Sequence, residues 1–174
     1  LDKDLIKQNI NVLYQKYSND VYQYIFFMIG EHDQAKDILQ DTFLRAYNKY
    51  ESFNGDNAKS WLFKIARNLT IDYIRKRKPI FYIIDSITSI NATDRTPEQM
   101  LVLNETEHQL YKALSKIKRS YRDVIVLRKM KEFSISESSH ILGWTESKVK
   151  VTLFRGMKAL KKELEKEGYS HDKF

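Results

Sequence analysis

Apolar residues recur along this chain at intervals of three and four, the period of a helix and not of a strand. Ile10, Leu13, Tyr14, Tyr17, Val21, Tyr24, Ile25 and Met28 fall on one stripe, and Gly30 supplies a stop. A second helix is predicted over 32–51, with Ala35, Ile38, Leu39, Thr42, Phe43, Ala46 and Tyr50 facing inward. Its other face holds Asp37, Gln40, Asp41, Leu44 and Asn48. A row of acids on a helix is usually a solvated face, yet an exposed Leu among carboxylates also suits a docking face for a basic partner. The cluster SFNGDN (52–57) reads as a turn. A third helix follows over 57–77, with Ala58, Leu62, Ile65, Leu69 and Tyr73 inward and Lys64, Arg67, Asn68, Ile71, Arg75 and Lys78 on the opposite side. Pro79 is expected to end it, because the residue before a proline is pushed out of the helical region.

Residues 79–104 break the pattern. A β-like run, IFYII, precedes a Ser/Thr/Asn/Asp patch and Pro97, which marks a flexible linker. Helical spacing resumes near 98, with Leu110, Ala113, Leu114 and Ile117 on one helix and Val124, Ile125, Leu127 and Arg128 on the next. Ser134 and Glu137 stand at capping-box spacing, so a helix should start at 135 and turn at Gly143. Thr145 can cap the last helix, striped by Val149, Leu153, Gly156, Leu160 and Leu164. A short helix, a Gly turn and a longer basic helix make a helix-turn-helix pattern. The fold predicted is all-α: two small helical domains, 1–78 and 105–174, joined by the linker 79–104.

Charge sharpens this picture. The chain is 42% hydrophobic and 30% charged with a net charge of +7, a foldable composition. The excess is not spread evenly. Residues 57–78 hold seven Lys/Arg against the single acid Asp72, and residues 145–166 hold seven against Glu146, Glu163 and Glu165. Two separated cationic helices with aromatic residues among the charges point to one nucleic acid gripped at two places. The absence of Cys excludes disulfides and thiolate metal sites and fits a reducing cytoplasm. No apolar run reaches a membrane span, and LDKDLIKQNI lacks a signal-peptide core. A first residue of Leu suggests a processed, trimmed or alternatively started chain. The four His are scattered, and no Gly-rich phosphate loop or nucleophile elbow is present. No catalytic residue, metal or cofactor is expected, and no small-molecule substrate. The row Asp33, Asp37, Asp41 is more often solvated than metal-bound.

The residues Asp37/Gln40/Asp41, then Phe53, then Trp61-Leu62-x-x-Ile65-Ala66-x-Asn68, then Asp72-x-x-Arg75-Lys76 closely resemble region 2 of bacterial sigma factors of the extracytoplasmic-function group. FSISESSHILGWTESKVKVTLFRGMKALKKEL resembles the helix-turn-helix of region 4. Asp41 stands where the family usually has Glu. Ser147-Lys148-Val149-Lys150-Val151-Thr152 departs from the frequent Gly-Thr-Val-Lys-Ser-Arg, which bears on promoter choice rather than on function.

The resemblance implies a chain that binds core RNA polymerase and directs it to promoter DNA. Asp37, Gln40, Asp41 and Leu44 would dock on the polymerase clamp helices. Phe53, Asn54, Asp56, Lys64, Arg67, Asn68 and Arg75 would capture the single-stranded −10 element, with aromatic and amide groups suiting an unstacked base and cations its phosphates. Lys148, Lys150, Val151, Phe154 and Arg155 would read the −35 element in the major groove. The group is commonly held inactive by an anti-sigma factor, often membrane-bound. Two other readings compete. One is a helix-turn-helix repressor or activator outside the polymerase holoenzyme, which leaves 35–78 without a purpose. The other is a nucleic-acid-modifying enzyme built on the Asp row, which lacks a second ligand cluster.

Overall fold

A computed structural model describes residues 2–85 and 105–168. Among the described residues there are seven α-helices and no strand: α1 (Lys3–Ile29), α2 (His32–Lys49), α3 (Ala58–Asp85), α4 (Glu105–Lys116), α5 (Arg119–Ile125), α6 (Ile135–Leu142) and α7 (Glu146–Lys166). A short 3₁₀ turn, Tyr50–Ser52, follows α2, and a π-helical turn, Val126–Met130, follows α5. Helices α1–α3 pack together as one unit and α4–α7 as a second.

The helix ends follow their sequence signals. Gly30 sits at φ 73°, and its N–H bonds to the Phe26 carbonyl at 2.8 Å. Glycine takes this left-handed conformation without a Cβ penalty. Ser134 and Glu137 complete the predicted capping box, Ser134 Oγ accepting from the Glu137 N–H at 3.0 Å and Glu137 Oε2 from the Ser134 N–H at 2.7 Å. Thr145 accepts from the Lys148 N–H at 3.2 Å and starts α7.

The predicted inward faces of α2 and α7 are buried as read, except that Leu153 and Leu164 are only half-buried and Tyr50 lies beyond α2 in the 3₁₀ turn. In α1, Val21, Tyr24, Ile25 and Met28 are buried, but Tyr14 is exposed, its ring edge-on to Phe43 at 4.9 Å. Phe26 and Phe27, off the stripe, are buried as well, because the Tyr111 ring of α4 lies 5.5 and 6.3 Å from theirs. A helix apolar all round is covered on more than one side.

Two expectations are corrected. First, α3 does not stop at Pro79 but runs on to Asp85, so IFYII is helical and the domain boundary at 78 falls inside a helix. Proline forfeits one intrahelical hydrogen bond, and the turns on either side keep theirs. Second, Ile71 is buried rather than on the basic face. The two units also share a core. One apolar cluster runs through both, from Val21 to Leu160, and Phe63 of α3 meets Phe133 edge-on at 4.8 Å. Fully burying a side chain such as Leu62 or Leu114 stabilises by about 1.5–3 kcal/mol. Of the linker expected over 79–104, residues 86–104 lie outside the described residues, as does the helical start expected near 98. No helix among the described residues is long and apolar enough to cross a membrane.

Candidate promoter and polymerase surfaces

Three surfaces emerge from these helices. On α2, Thr42, Phe43 and Ala46 turn into the core, which forces Asp37, Gln40, Asp41, Leu44 and Asn48 outward. All five are exposed, Leu44 at 59%. The Asp33, Asp37, Asp41 row does not form a metal-binding group, and no such cluster occurs among the described residues.

The second surface spans the loop before α3 and the outer side of α3. Phe53 is half-buried and stacks on Trp61, with centroids 4.4 Å apart and planes 19° apart. Asn54 Oδ1 accepts from the Asp56 N–H at 3.1 Å, which tightens the turn through Gly55 at φ 85°. Asn57 Oδ1 accepts from the Ser60 N–H at 3.1 Å and so caps α3. Asn54, Asp56, Lys64, Asn68 and Arg75 are exposed.

Arg67 differs from these neighbours. Its side chain is 17% exposed, and its Nε donates to Asp123 Oδ2 at 2.9 Å. Asp123 belongs to α5, is 2% exposed at its side chain, and accepts a second hydrogen bond at 2.9 Å from the Tyr24 hydroxyl of α1. Burial pushes the Asp123 carboxyl above the usual carboxylate range, and the charge and hydrogen bond of Arg67 oppose that rise. Burial, with the Asp123 charge second, pushes the Tyr24 phenol well above its ordinary value.

Further polar pairs cross between the units. Lys131, 4% exposed at its side chain, donates to Asp20 Oδ1 at 2.9 Å and to Gln23 Oε1. Asn57 Nδ2 donates to Glu137 Oε1 at 2.6 Å, and Lys59 Nζ to the Lys131 carbonyl at 3.3 Å. Arg122 spreads its guanidinium over the carbonyls of Leu114, Met28 and Ser115. Beside Arg67 a cleft of about 840 Å³ opens between the units, lined by five arginines against two carboxylates, Glu31 and Asp123. Arg77 already holds Glu31.

The third surface is the outer side of α7. Val149, Gly156 and Leu160 are buried, which leaves Lys148, Lys150, Val151, Phe154 and Arg155 exposed. Phe154 is 64% exposed with the Lys158 ammonium 4.4 Å over its ring, and Lys148 lies 4.5 Å over Trp144. Met157, also exposed, adds to this face and was not anticipated. Nor were Tyr24, Asp20, Asp123 and Lys131 as polar contacts. The only local hint was a charge, Asp123, set directly against the apolar run Val124–Leu127.

The comparisons with known proteins agree with the geometry. Residues 13–80 match the family Sigma-70 region 2, and residues 107–160 match Sigma-70, region 4. The chain is 34% identical over 166 residues to the ECF RNA polymerase sigma factor SigX of Bacillus subtilis (strain 168), covering 92% of this chain and 86% of that one. It is 36% identical over 155 residues to SigM of the same organism, covering 87% and 93%. Among solved structures it resembles the sigma factor RpoE in complex with the anti-sigma factor NepR from Bartonella quintana, with TM-score 0.76, 26% identity, and 91% and 98% of the two chains covered.

Proposed function

This chain belongs to the extracytoplasmic-function group of RNA polymerase sigma factors, and on that premise we propose how its three surfaces divide the work of starting transcription. As such a factor it directs core polymerase to promoters. The α2 face of Asp37, Gln40, Asp41 and Leu44 docks on the polymerase, because its charge repels DNA phosphates and its exposed Leu offers an apolar anchor. Phe53, Asn54, Asp56, Lys64, Arg67, Asn68 and Arg75 take the single-stranded −10 element, amides and ring meeting bases while cations meet phosphates. Lys148, Lys150, Val151, Phe154 and Arg155 enter the −35 major groove. The observation that carries this reading is the sorting of α7: Val149, Gly156 and Leu160 are buried, and the five residues assigned to DNA are exposed together.

The RpoE relative is bound to an anti-sigma factor, and a partner of that class, membrane-bound as is common in the group, is proposed here too. The work is assigned to the cytoplasm, where polymerase and chromosome meet, and to binding rather than catalysis. A repressor or activator outside the holoenzyme would leave residues 13–80 without a role.

Transcription from a purified promoter with core enzyme tests the division. Charge reversal by Asp37→Lys with Asp41→Lys should weaken polymerase binding while the circular dichroism spectrum is kept. Asn68→Ala should impair opening of a promoter whose −35 element is intact. Arg155→Ala should weaken −35 duplex binding by about 1–3 kcal/mol and selectively, as loss of a bidentate base contact does. Equal losses on every sequence would demote Arg155 to a phosphate contact and remove base readout at that position.

A further inference from the structure

We propose that the arginine-rich cleft between the two units is a binding site for a small oligophosphate, an anion of several linked phosphates that is either free or attached to a nucleoside. The site does not depend on the promoter assignments.

The walls of the cleft come from both units, and the shared apolar core fixes their spacing. Phe63 packs on Phe133 and Phe26 on Tyr111, with ring centroids 4.8 and 5.5 Å apart. A cleft held by buried rings is formed before a ligand arrives, so little ordering entropy is lost on binding. Its volume of about 840 Å³ falls within the range of small-molecule sites, ~300–1,000 Å³.

The lining selects an anion. Five arginines face two carboxylates, a formal excess of three positive charges. They are not equally available. Arg67 is held by Asp123, Arg77 by Glu31, and Arg122 by three backbone carbonyls. Arg75 of α3 and Arg119 of α5, one from each unit, have no hydrogen-bond or ion-pair partner among the described residues. Burial, with the Arg119 charge also contributing, holds the Arg122 guanidinium below its ordinary pKa. An anion in the cleft would offset that concentration of positive charge.

The same features favour linked phosphates over other anions. Guanidiniums bind phosphate oxygens through paired, charge-assisted hydrogen bonds. A chain of linked phosphates packs several charges into a small volume, which matches the excess in the cleft. A nucleic-acid strand carries one charge per nucleotide, and single-strand sites of roughly 4–16 nucleotides are longer than a cleft of this size spans. The half-buried rings of Tyr73 and Trp144 line the same cleft and offer a base a surface to stack on. An occupant that touches both walls would stabilise the packed units by mass action.

Isothermal titration calorimetry of the full chain at fixed ionic strength tests the site, with inorganic tripolyphosphate as the probe and sulfate as the single-anion control. One tripolyphosphate per chain should bind, at least about tenfold more tightly than sulfate. Arg75→Gln and Arg119→Gln should each weaken it by roughly tenfold or more, since each removes a charge-assisted contact with the ligand and no internal one. Circular dichroism checks that both variants keep the fold. Lys162→Gln, which removes an exposed cation outside the cleft, should bind as the parent does. Tripolyphosphate at about a hundredfold excess over its Kd should raise the Tm by roughly 5–10 °C. Adenosine triphosphate titrated in parallel identifies the source: tighter binding than tripolyphosphate assigns the nucleoside-linked form, and equal or weaker binding the free form. No saturable binding, several anions per chain, or an equal loss in Lys162→Gln would overturn the site and leave only diffuse attraction. Binding of a single-stranded oligonucleotide that is lost in Arg119→Gln, with no binding of tripolyphosphate, would also overturn it and give the cleft to nucleic acid.

Discussion

Gly156 sets two physical effects against each other. It lies inside α7, where replacing glycine by alanine ordinarily stabilises by about 1 kcal/mol. Here the new Cβ would sit 3.1 Å from Tyr121 Cβ, 3.2 Å from Ile125 Cδ1 and 3.4 Å from Tyr121 Cα. No rotamer of Tyr121 moves its own Cβ, which is fixed to the α5 backbone. Ile125 is 2% exposed and has little room to turn. Relief therefore requires α7 to back away from α5 by a few tenths of an ångström, against a packed core. Overpacking of that kind costs about 1–3 kcal/mol. The balance for Gly156→Ala is a net loss of roughly 0–2 kcal/mol, and Gly156→Val, with a branched side chain, should lose more. Urea denaturation followed by far-ultraviolet circular dichroism gives the stability. A −35 duplex titration shows whether the shift misplaces Phe154 and Arg155, which precede Gly156 on the same helix. An alanine variant more stable by the full helix-propensity gain would refute the close approach of α5 and α7.

Three further outcomes follow from the contacts. Arg122→Lys should destabilise by about 2–4 kcal/mol in chemical denaturation, since an ammonium cannot reproduce the fork that serves the carbonyls of Leu114, Met28 and Ser115. Ser134→Ala should cost about 1 kcal/mol through the lost cap of α6, and a loss near zero would mean that the box is not formed in solution. The backbone hydrogen bond from Ser134 holds the Glu137 carboxyl below its ordinary range, helped by Asn57. Its stabilisation is therefore complete above the ordinary carboxylate pKa and fades as pH falls through the depressed one. Glu137→Gln should flatten that acid limb of a stability-against-pH curve, and an unchanged limb would count against the bond.

Much of this was written locally. The acidic face of α2 was legible because Thr42, Phe43 and Ala46 fix which side is inward. The caps at Ser134, Gly143 and Thr145 were legible because capping chemistry spans three or four residues. What escaped were features whose cause lies far along the chain. Asp123 is buried because Arg67 and Tyr24 arrive from another unit, and no periodicity within α5 announces them. Phe26 and Phe27 looked surplus to the α1 stripe until Tyr111 covered them. Pro79 misled because a single residue's preference was weighed without the helix around it. Arg67 carried the right chemistry in the sequence, but its engagement by Asp123 appears only in three dimensions.

The shared core also bears on how the protein is made. Tyr24 and Asp123 are 99 residues apart in the chain. At ribosomal speeds of about 5–20 residues per second, α1 emerges roughly 5–20 s before its partner exists. For much of that interval the sides of Phe26, Phe27 and Phe63 that will meet Tyr111 and Phe133 have only water, or a chaperone, to face. A nascent chain stalled or truncated before α4 would carry an uncovered aromatic patch, so translation must run through to α6 before the first half is safe from aggregation.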